Sequence, residues 1–354
     1  MRFDPYKIRM AISRPFLRRS GPIARLLNYP NLLKSRPCNR QNIDLARDGA
    51  LGDVLMCTPV LRELKRRNPH CYIRFYTKYG PLVKGLAYID EVLPFDQKPA
   101  GVLLMGYEHA LPPEVHLSRI IGDMVGLKVT DTHPDCSARS DLIEGYRKSF
   151  AHLARPHIVF VRRSSDWTPN KNWPDPNWLA LITSLARNAT VIEIGREESA
   201  GGSIASRNYI DMRGKTSLEQ LVAVVAASDL YVGPVSGPMH IAVAVGTPSV
   251  TICGGYESPR GYEHTAGVKS TTNVFLSSNL PCSPCWLREP CPIGLKCLNS
   301  ISPAQVEKAI AGVLGARGLE PTKFTVMTAQ PAELPEFPPP TSPLRVVQPK
   351  EVFR

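Results

Sequence analysis

Two α/β domains, each built on a parallel doubly wound sheet, are the architecture this sequence predicts. Its 354 residues exceed one ordinary core and suit two domains of about 150 residues with tails. Strand-like and amphipathic helical runs alternate along the chain, and the alternation restarts near Arg155-Pro156. Glycine-bearing turns join several strands to the helices that follow, at the edge where such sheets bind ligands. The composition, 43% hydrophobic and 21% charged, is that of a globular chain and excludes a disordered or fibrous one.

The elements follow in order. Ile43 to Arg47 reads as a short strand, and Gly49 and Gly52 mark the turn after it. From Asp53 the apolar positions Val54, Leu55, Val60, Leu61 and Leu64 fall on one helical face, closed by Arg66, Arg67 and Asn68-Pro69. Cys71 to Tyr76 is a second strand, Asp90 to Pro94 a weaker third, and Gly101 to Met105 a fourth, with a helix over His116 to Gly126. This makes residues 41–155 the first domain. The second, residues 156–315, opens with the strand His157 to Val161. It continues as helix Trp178 to Ala186, strand Thr190 to Ile194, helix Ser217 to Ala227, strand Leu230 to Val232, helix Pro238 to Val245 and strand Ser249 to Cys253. Residues 316–354 form a proline-rich tail, with Pro338-Pro339-Pro340, of which Pro331 to Arg354 is expected to lie outside the fold.

Three places carry chemistry. Between strand and helix, Val232 to His240 places Gly237 where backbone can approach a ligand, and the free N–H groups of a helix's first turn point at an anion. A diphosphate fits such a turn, although glycines there also serve plain packing. Lys171-Asn172-Trp173-Pro174 lies at the same edge of the second sheet. Lys171 can neutralise phosphate, and Arg162, Arg163, Ser164 and Ser165 offer further donors, whereas a solvated basic loop is the plainer alternative. Asp53 starts a helix facing the cleft between domains, where a carboxylate can take a proton from a hydroxyl nucleophile; it reads equally as a helix N-cap. No Asp-x-Asp pair occurs, so the usual carboxylates for a metal on a nucleotide diphosphate are absent from the sequence.

Taken together, these segments resemble a family. Ala50 to Arg62 looks like the opening motif of the ADP-heptose:lipopolysaccharide heptosyltransferases of glycosyltransferase family 9. Lys171 to Pro174, Gly214 to Leu218, and Val232 to His240 with Ala242 are similar to its later motifs, in the same order. The resemblance implies a GT-B fold, two Rossmann-like doubly wound domains facing across a cleft. It also implies an inverting, metal-independent transfer of a heptose or related sugar from a nucleotide diphosphate donor, such as ADP-heptose, to lipopolysaccharide or another cell-envelope glycan. By the same resemblance Asp53 is the general base. Lys171, Ser236, Gly237, Pro238 and His240, with Ser164 and Ser165, hold the donor diphosphate, and Glu197 or Glu198 lies near the nucleoside. No cofactor is implied for catalysis.

Two departures qualify that match. Val235 stands where the family's turn carries an acidic residue, which opens the alternative of a non-catalytic sugar-nucleotide or glycan-binding protein of the same fold. The first domain looks short between Phe95 and His116, so the acceptor is left open, and a protein acceptor stays an alternative to a lipid-linked one.

Charge and cysteines add the partners. The net charge is +12, and +9 of it sits in residues 1–40, where ten Lys and Arg face Asp4 alone. This basic N-terminal extension suits either a solvated arm or the anionic inner face of a membrane. The remaining chain is nearly neutral, which argues against nucleic acid as a partner. No stretch spans a bilayer and no secretory signal is recognisable, so a cytoplasmic protein, peripheral on the membrane at most, is expected. In a reducing compartment the loop 282–297, with Cys282, Cys285, Cys291 and Cys297 spaced C-x2-C-x5-C-x5-C, suits a structural zinc or iron better than disulfides, with reduced thiols as the alternative. An all-cysteine set leaves no open coordination position for catalysis.

Overall fold

The computed structural model describes residues 42–164, 167–196, 204–263 and 273–319. The first sheet contains strands β1 (Asn42–Arg47), β2 (Tyr72–Thr77), β3 (Glu91–Leu93) and β4 (Leu103–Leu104), all parallel, in the order β3-β2-β1-β4. Its principal helix, α1 (Leu51–Arg67), follows β1 and buries Val54, Leu55, Val60, Leu61 and Leu64. The helix starts two residues earlier than its apolar pattern suggests, because Ala50 takes the cap position and Asp53 the third helical one. Pro59 inside α1 cannot bond the Leu55 carbonyl. The Thr58 hydroxyl donates to that carbonyl instead, at 2.7 Å, so the helix continues. Two further helices, α2 (Leu117–Met124) and α3 (Ser140–Phe150), complete this half.

The second sheet is six-stranded. Its strands are β5 (His157–Phe160), β6 (Thr190–Glu193), β7 (Tyr209–Asp211), β8 (Leu230–Pro234), β9 (Ser249–Gly254) and β10 (Asn273–Ser277), parallel in the order β10-β9-β8-β5-β6-β7. β5, β6, β8 and β9 are buried along their whole length, the continuous apolar run of strands covered on both faces. The covering helices are α4 (Asp175–Leu185), α5 (Leu218–Ala227), α6 (Gly237–Val245), the short α7 (Lys296–Asn299) and α8 (Pro303–Gly315). Local chemistry sets their ends. Ser217 and Gln220 close a capping box on α5, and Gly246, at φ 81°, ends α6 in the left-handed conformation that favours glycine.

The sequence reading missed β7, β10, α3, α7 and α8, although Leu142, Tyr146 and Phe150 in α3 and Val306, Ile310 and Leu314 in α8 recur at helical spacing. β7 and β10 occupy opposite edges of the sheet, where three to five partly exposed residues suffice. The two sheets meet through their helices, α1 on α6 and α3 on α5, so one apolar core runs from Phe75 and Leu61 to Val222 and Met239.

Candidate active site

In each sheet the direction of winding reverses at one place, and there the loops leaving adjacent strands separate and leave a crevice. In the first sheet the reversal falls between β1 and β4. The turn after β1 carries Asp53, and the segment after β4 carries Tyr107. In the second it falls between β5 and β8, followed by the turns that carry Lys171 and Gly237.

Around Asp53 every contact has a visible cause. Its Oδ2 accepts the Ala50 N–H at 2.7 Å, so the carboxylate does help cap α1, as the third helical residue of a capping box. Its Oδ1 accepts the Tyr107 hydroxyl at 2.7 Å, and the Arg47 guanidinium stands 3.5 Å away. A side chain at Gly49, whose φ is +112°, would come within 2.6 Å of the carboxylate. Arg47 also pairs with Glu108 at 2.7 Å. Burial works against the Arg47 cation, but the two carboxylates outweigh it and hold its pKa above the ordinary arginine value. Burial, helped by the Asp53 charge, pushes the Tyr107 hydroxyl well above the ordinary tyrosine range, so Tyr107 stays a donor. Asp53 keeps 20% of its side chain exposed, within reach of a solute.

In the second sheet the Gly237 turn opens α6 with Pro238 in its first turn, and Ser236 caps it without a side-chain bond; the Ser236 hydroxyl lies 3.1 Å from the Tyr231 hydroxyl. The N–H groups of that first turn are the donors available to an anion. Lys171 ends a short 3-10 turn, Pro169–Lys171, and donates to Glu257 Oε1 at 2.9 Å. Tyr262 donates to the same oxygen at 2.6 Å. His240, one turn into α6, is buried with its ring 5.8 Å from that of Tyr262.

The two crevices face each other. A Cβ at Gly52 would stand 2.8 Å from His240 Cδ2 and 3.5 Å from the Gly237 Cα, and a Cβ at Gly237 would overlap the Leu51 side chain. The helix start that carries Asp53 therefore lies directly on the glycine turn of the other sheet.

Several expected residues are placed otherwise. Arg162 does not face the cleft: it is buried against Glu193, with bonds of 2.7 and 2.9 Å, because an unpaired charge under the sheet would be costly. Arg163 pairs with Asp175, and the Ser164 hydroxyl donates to Asn172 Oδ1 at 3.3 Å. Ser165, Glu197 and Glu198 lie outside the described residues, as do the basic arm and the proline-rich tail. Reasoning from sequence missed Tyr107, Arg47, Glu257 and Tyr262. Arg47, Tyr107 and Glu257 carried a signal, each standing at or just past the end of a strand at the ligand edge of its sheet.

The cysteine loop packs on the Lys171 turn. Asn170, 3% exposed, donates to the carbonyls of Leu287 and Glu289 at 2.9 and 2.7 Å and accepts the Cys291 N–H at 2.9 Å. All four cysteines are free thiols. Burial pushes Cys285 up to about 11, with Cys282, Cys297 and Cys291 adding their charge. As placed, they do not converge: among the described residues no group of three or more His, Cys, Asp or Glu is arranged to hold a metal ion. No helix among the described residues is long and apolar enough to cross a membrane.

Residues 108–295, more than half of the chain, match the family described as glycosyltransferase family 9 (heptosyltransferase). The chain belongs to this family. Among curated relatives, this family 9 chain is 27% identical over 116 residues to lipopolysaccharide heptosyltransferase 1 of Salmonella typhimurium, covering 30% of the chain and 36% of that protein. It is 21% identical over 163 residues to the Escherichia coli K12 protein of the same name, covering 45% and 50%. The chain thus spans a third to a half of the length of these relatives.

Solved structures align over more of it. The ADP-heptose lps heptosyltransferase II of E. coli gives a TM-score of 0.56 at 17% identity, covering 78% of this chain and 99% of that one. TibC from enterotoxigenic E. coli, described as an iron-containing dodecameric glycosyltransferase, gives 0.61 at 18% identity, covering 80% and 79%. The family 9 chain therefore has the GT-B fold of parallel α/β sheets that these glycosyltransferases share.

Proposed function

We propose that the protein transfers a heptose or closely related sugar from an ADP-linked donor to a hydroxyl of a cell-envelope glycan, with inversion at the sugar and without a catalytic metal. The observation that carries this reading is the direct apposition of the Asp53 helix start and the Gly237 turn. A proton acceptor and an anion cradle then share one crevice. Donor names among the relatives, heptosyltransferases 1 and II, supply the sugar class.

In the reaction the acceptor oxygen attacks the anomeric carbon and forms the new C–O bond as the bond from that carbon to the phosphate oxygen breaks. The acceptor's proton passes to Asp53, and the electron pair of the broken bond leaves with the diphosphate. Negative charge builds on that diphosphate, and the α6 N–H groups with the Lys171 ammonium stabilise it. Tyr107 and Arg47 hold the Asp53 carboxylate in one orientation. Ser236 and Pro238 shape the turn, and Lys171 is itself held by Glu257.

The cysteine loop is structural in this reading, because Asn170 ties it to the residue next to Lys171. A zinc or iron ion at Cys282, Cys285, Cys291 and Cys297 would draw the thiols together and stiffen that loop. Elemental analysis of protein purified without added ions tests this, and metal well below one equivalent excludes it.

Transfer assays with ADP-heptose and truncated envelope glycans test the function. Asp53→Asn should lower kcat by about a hundredfold or more while ADP binding persists. Full transfer by Asp53→Asn would remove Asp53 as the base. Binding of ADP without turnover of any ADP-, UDP- or GDP-sugar would favour a binding protein instead.

A further inference from the structure

The glycine turn brings no carboxylate of its own. From Leu230 to His240 no acidic residue occurs, and Val235 is 2% exposed and packed in the core rather than turned to a ligand. One strand away, just past β9, Glu257 is 4% exposed. Lys171 and Tyr262 both donate to its Oε1, at 2.9 and 2.6 Å, and among the described residues Oε2 accepts no further hydrogen bond. With Oε1 taken by Lys171 and Tyr262, Oε2 keeps acceptor capacity for a ligand that brings a donor. The geometry also separates two kinds of ligand group. Phosphate oxygens are drawn to Lys171 and repelled by Glu257, whereas a sugar hydroxyl is a donor that an ionised carboxylate takes strongly.

We propose that Glu257 is the sugar-recognising residue of the donor site: its Oε1 fixes the Lys171 ammonium, and its Oε2 accepts a hydroxyl of the sugar to be transferred. This rests on the glycosyl-transfer reading above. Tyr262, through its bond to Oε1, holds the carboxylate in place beside His240.

Calorimetry with ADP and with ADP-heptose on the full chain separates the sugar's contribution from that of the diphosphate. For Glu257→Gln the ratio of the ADP to the ADP-heptose dissociation constant should fall about tenfold. Glu257→Asp carries the same test if the Gln variant fails to fold, because it keeps the charge beside Lys171 and draws the acceptor back. An unchanged ratio in a folded variant overturns the assignment. So does an equal weakening of both ligands, which would make Glu257 a support for Lys171 alone. If wild-type protein binds ADP but gains nothing from the heptose, this inference falls while the diphosphate site stands. If it binds neither ligand, the glycosyl-transfer reading itself falls.

Discussion

The Tyr107 hydroxyl donates to Asp53 Oδ1 at 2.7 Å, joining the segment after β4 to the helix start after β1 across the reversal point of the first sheet. Tyr107 is half-buried and its hydroxyl stays protonated, so its bond orients one oxygen of the carboxylate without competing for the proton. Tyr107→Phe should lower kcat for transfer by about tenfold, the worth of a hydrogen bond to a charged group, with ADP affinity unchanged. Steady-state kinetics beside ADP calorimetry checks both halves.

Gly237 and Leu51 share one small volume between the two sheets, so a methyl at Gly237 must displace Leu51 and the helix start behind it. Gly237→Ala should reduce transfer at least about tenfold, and Leu51→Ala added to it should restore part of the loss. Additive losses in the double variant would show that the two residues do not contend for that space.

Asn170→Ala leaves the Glu289 carbonyl and the Cys291 N–H without their buried partner, while the Leu287 carbonyl keeps the Thr168 hydroxyl. A loss of about 2 kcal/mol in urea-unfolding stability is expected, with faster protease cleavage within residues 282–297. Unchanged cleavage would mean the loop is held by other contacts.

Alkaline pH should destabilise the protein through Cys57, whose thiol burial pushes up to about 12, against 9.0 for the free group. Between these values the unfolded chain gives up the proton and the folded one keeps it. The contribution is fully present below pH 9 and is lost as pH rises, at up to about 1.4 kcal/mol per unit. Urea melts from pH 7.5 to 10.5 should show a flatter decline for Cys57→Ala than for wild type.

Much of this was legible in the sequence because parallel strands and their helices are written in local pattern. The apolar face of α1, the buried runs at β5 and β9, and the glycine turn before α6 each announce themselves within a few residues. The edge strands β7 and β10 did not, being short and partly exposed, with no strong period to read. Asp53, Lys171 and Gly237 stood out because each sits at a strand-to-helix turn, whose position depends only on neighbours in the chain.

By itself, then, the amino-acid order determined the α/β class, the turns at the ligand edge and the absence of an acidic side chain at Val235. Only the tertiary structure decided which charges face one another across those turns. Arg162 and Lys171 are equally basic in sequence, yet one is buried under the sheet against Glu193 and the other meets Glu257 at the cleft. A carboxylate 86 residues away selects the partner of Lys171, and that separation has no local signature. The physical reason is that charge pairing follows distance through space and burial, whereas helices, strands and turns follow distance along the chain.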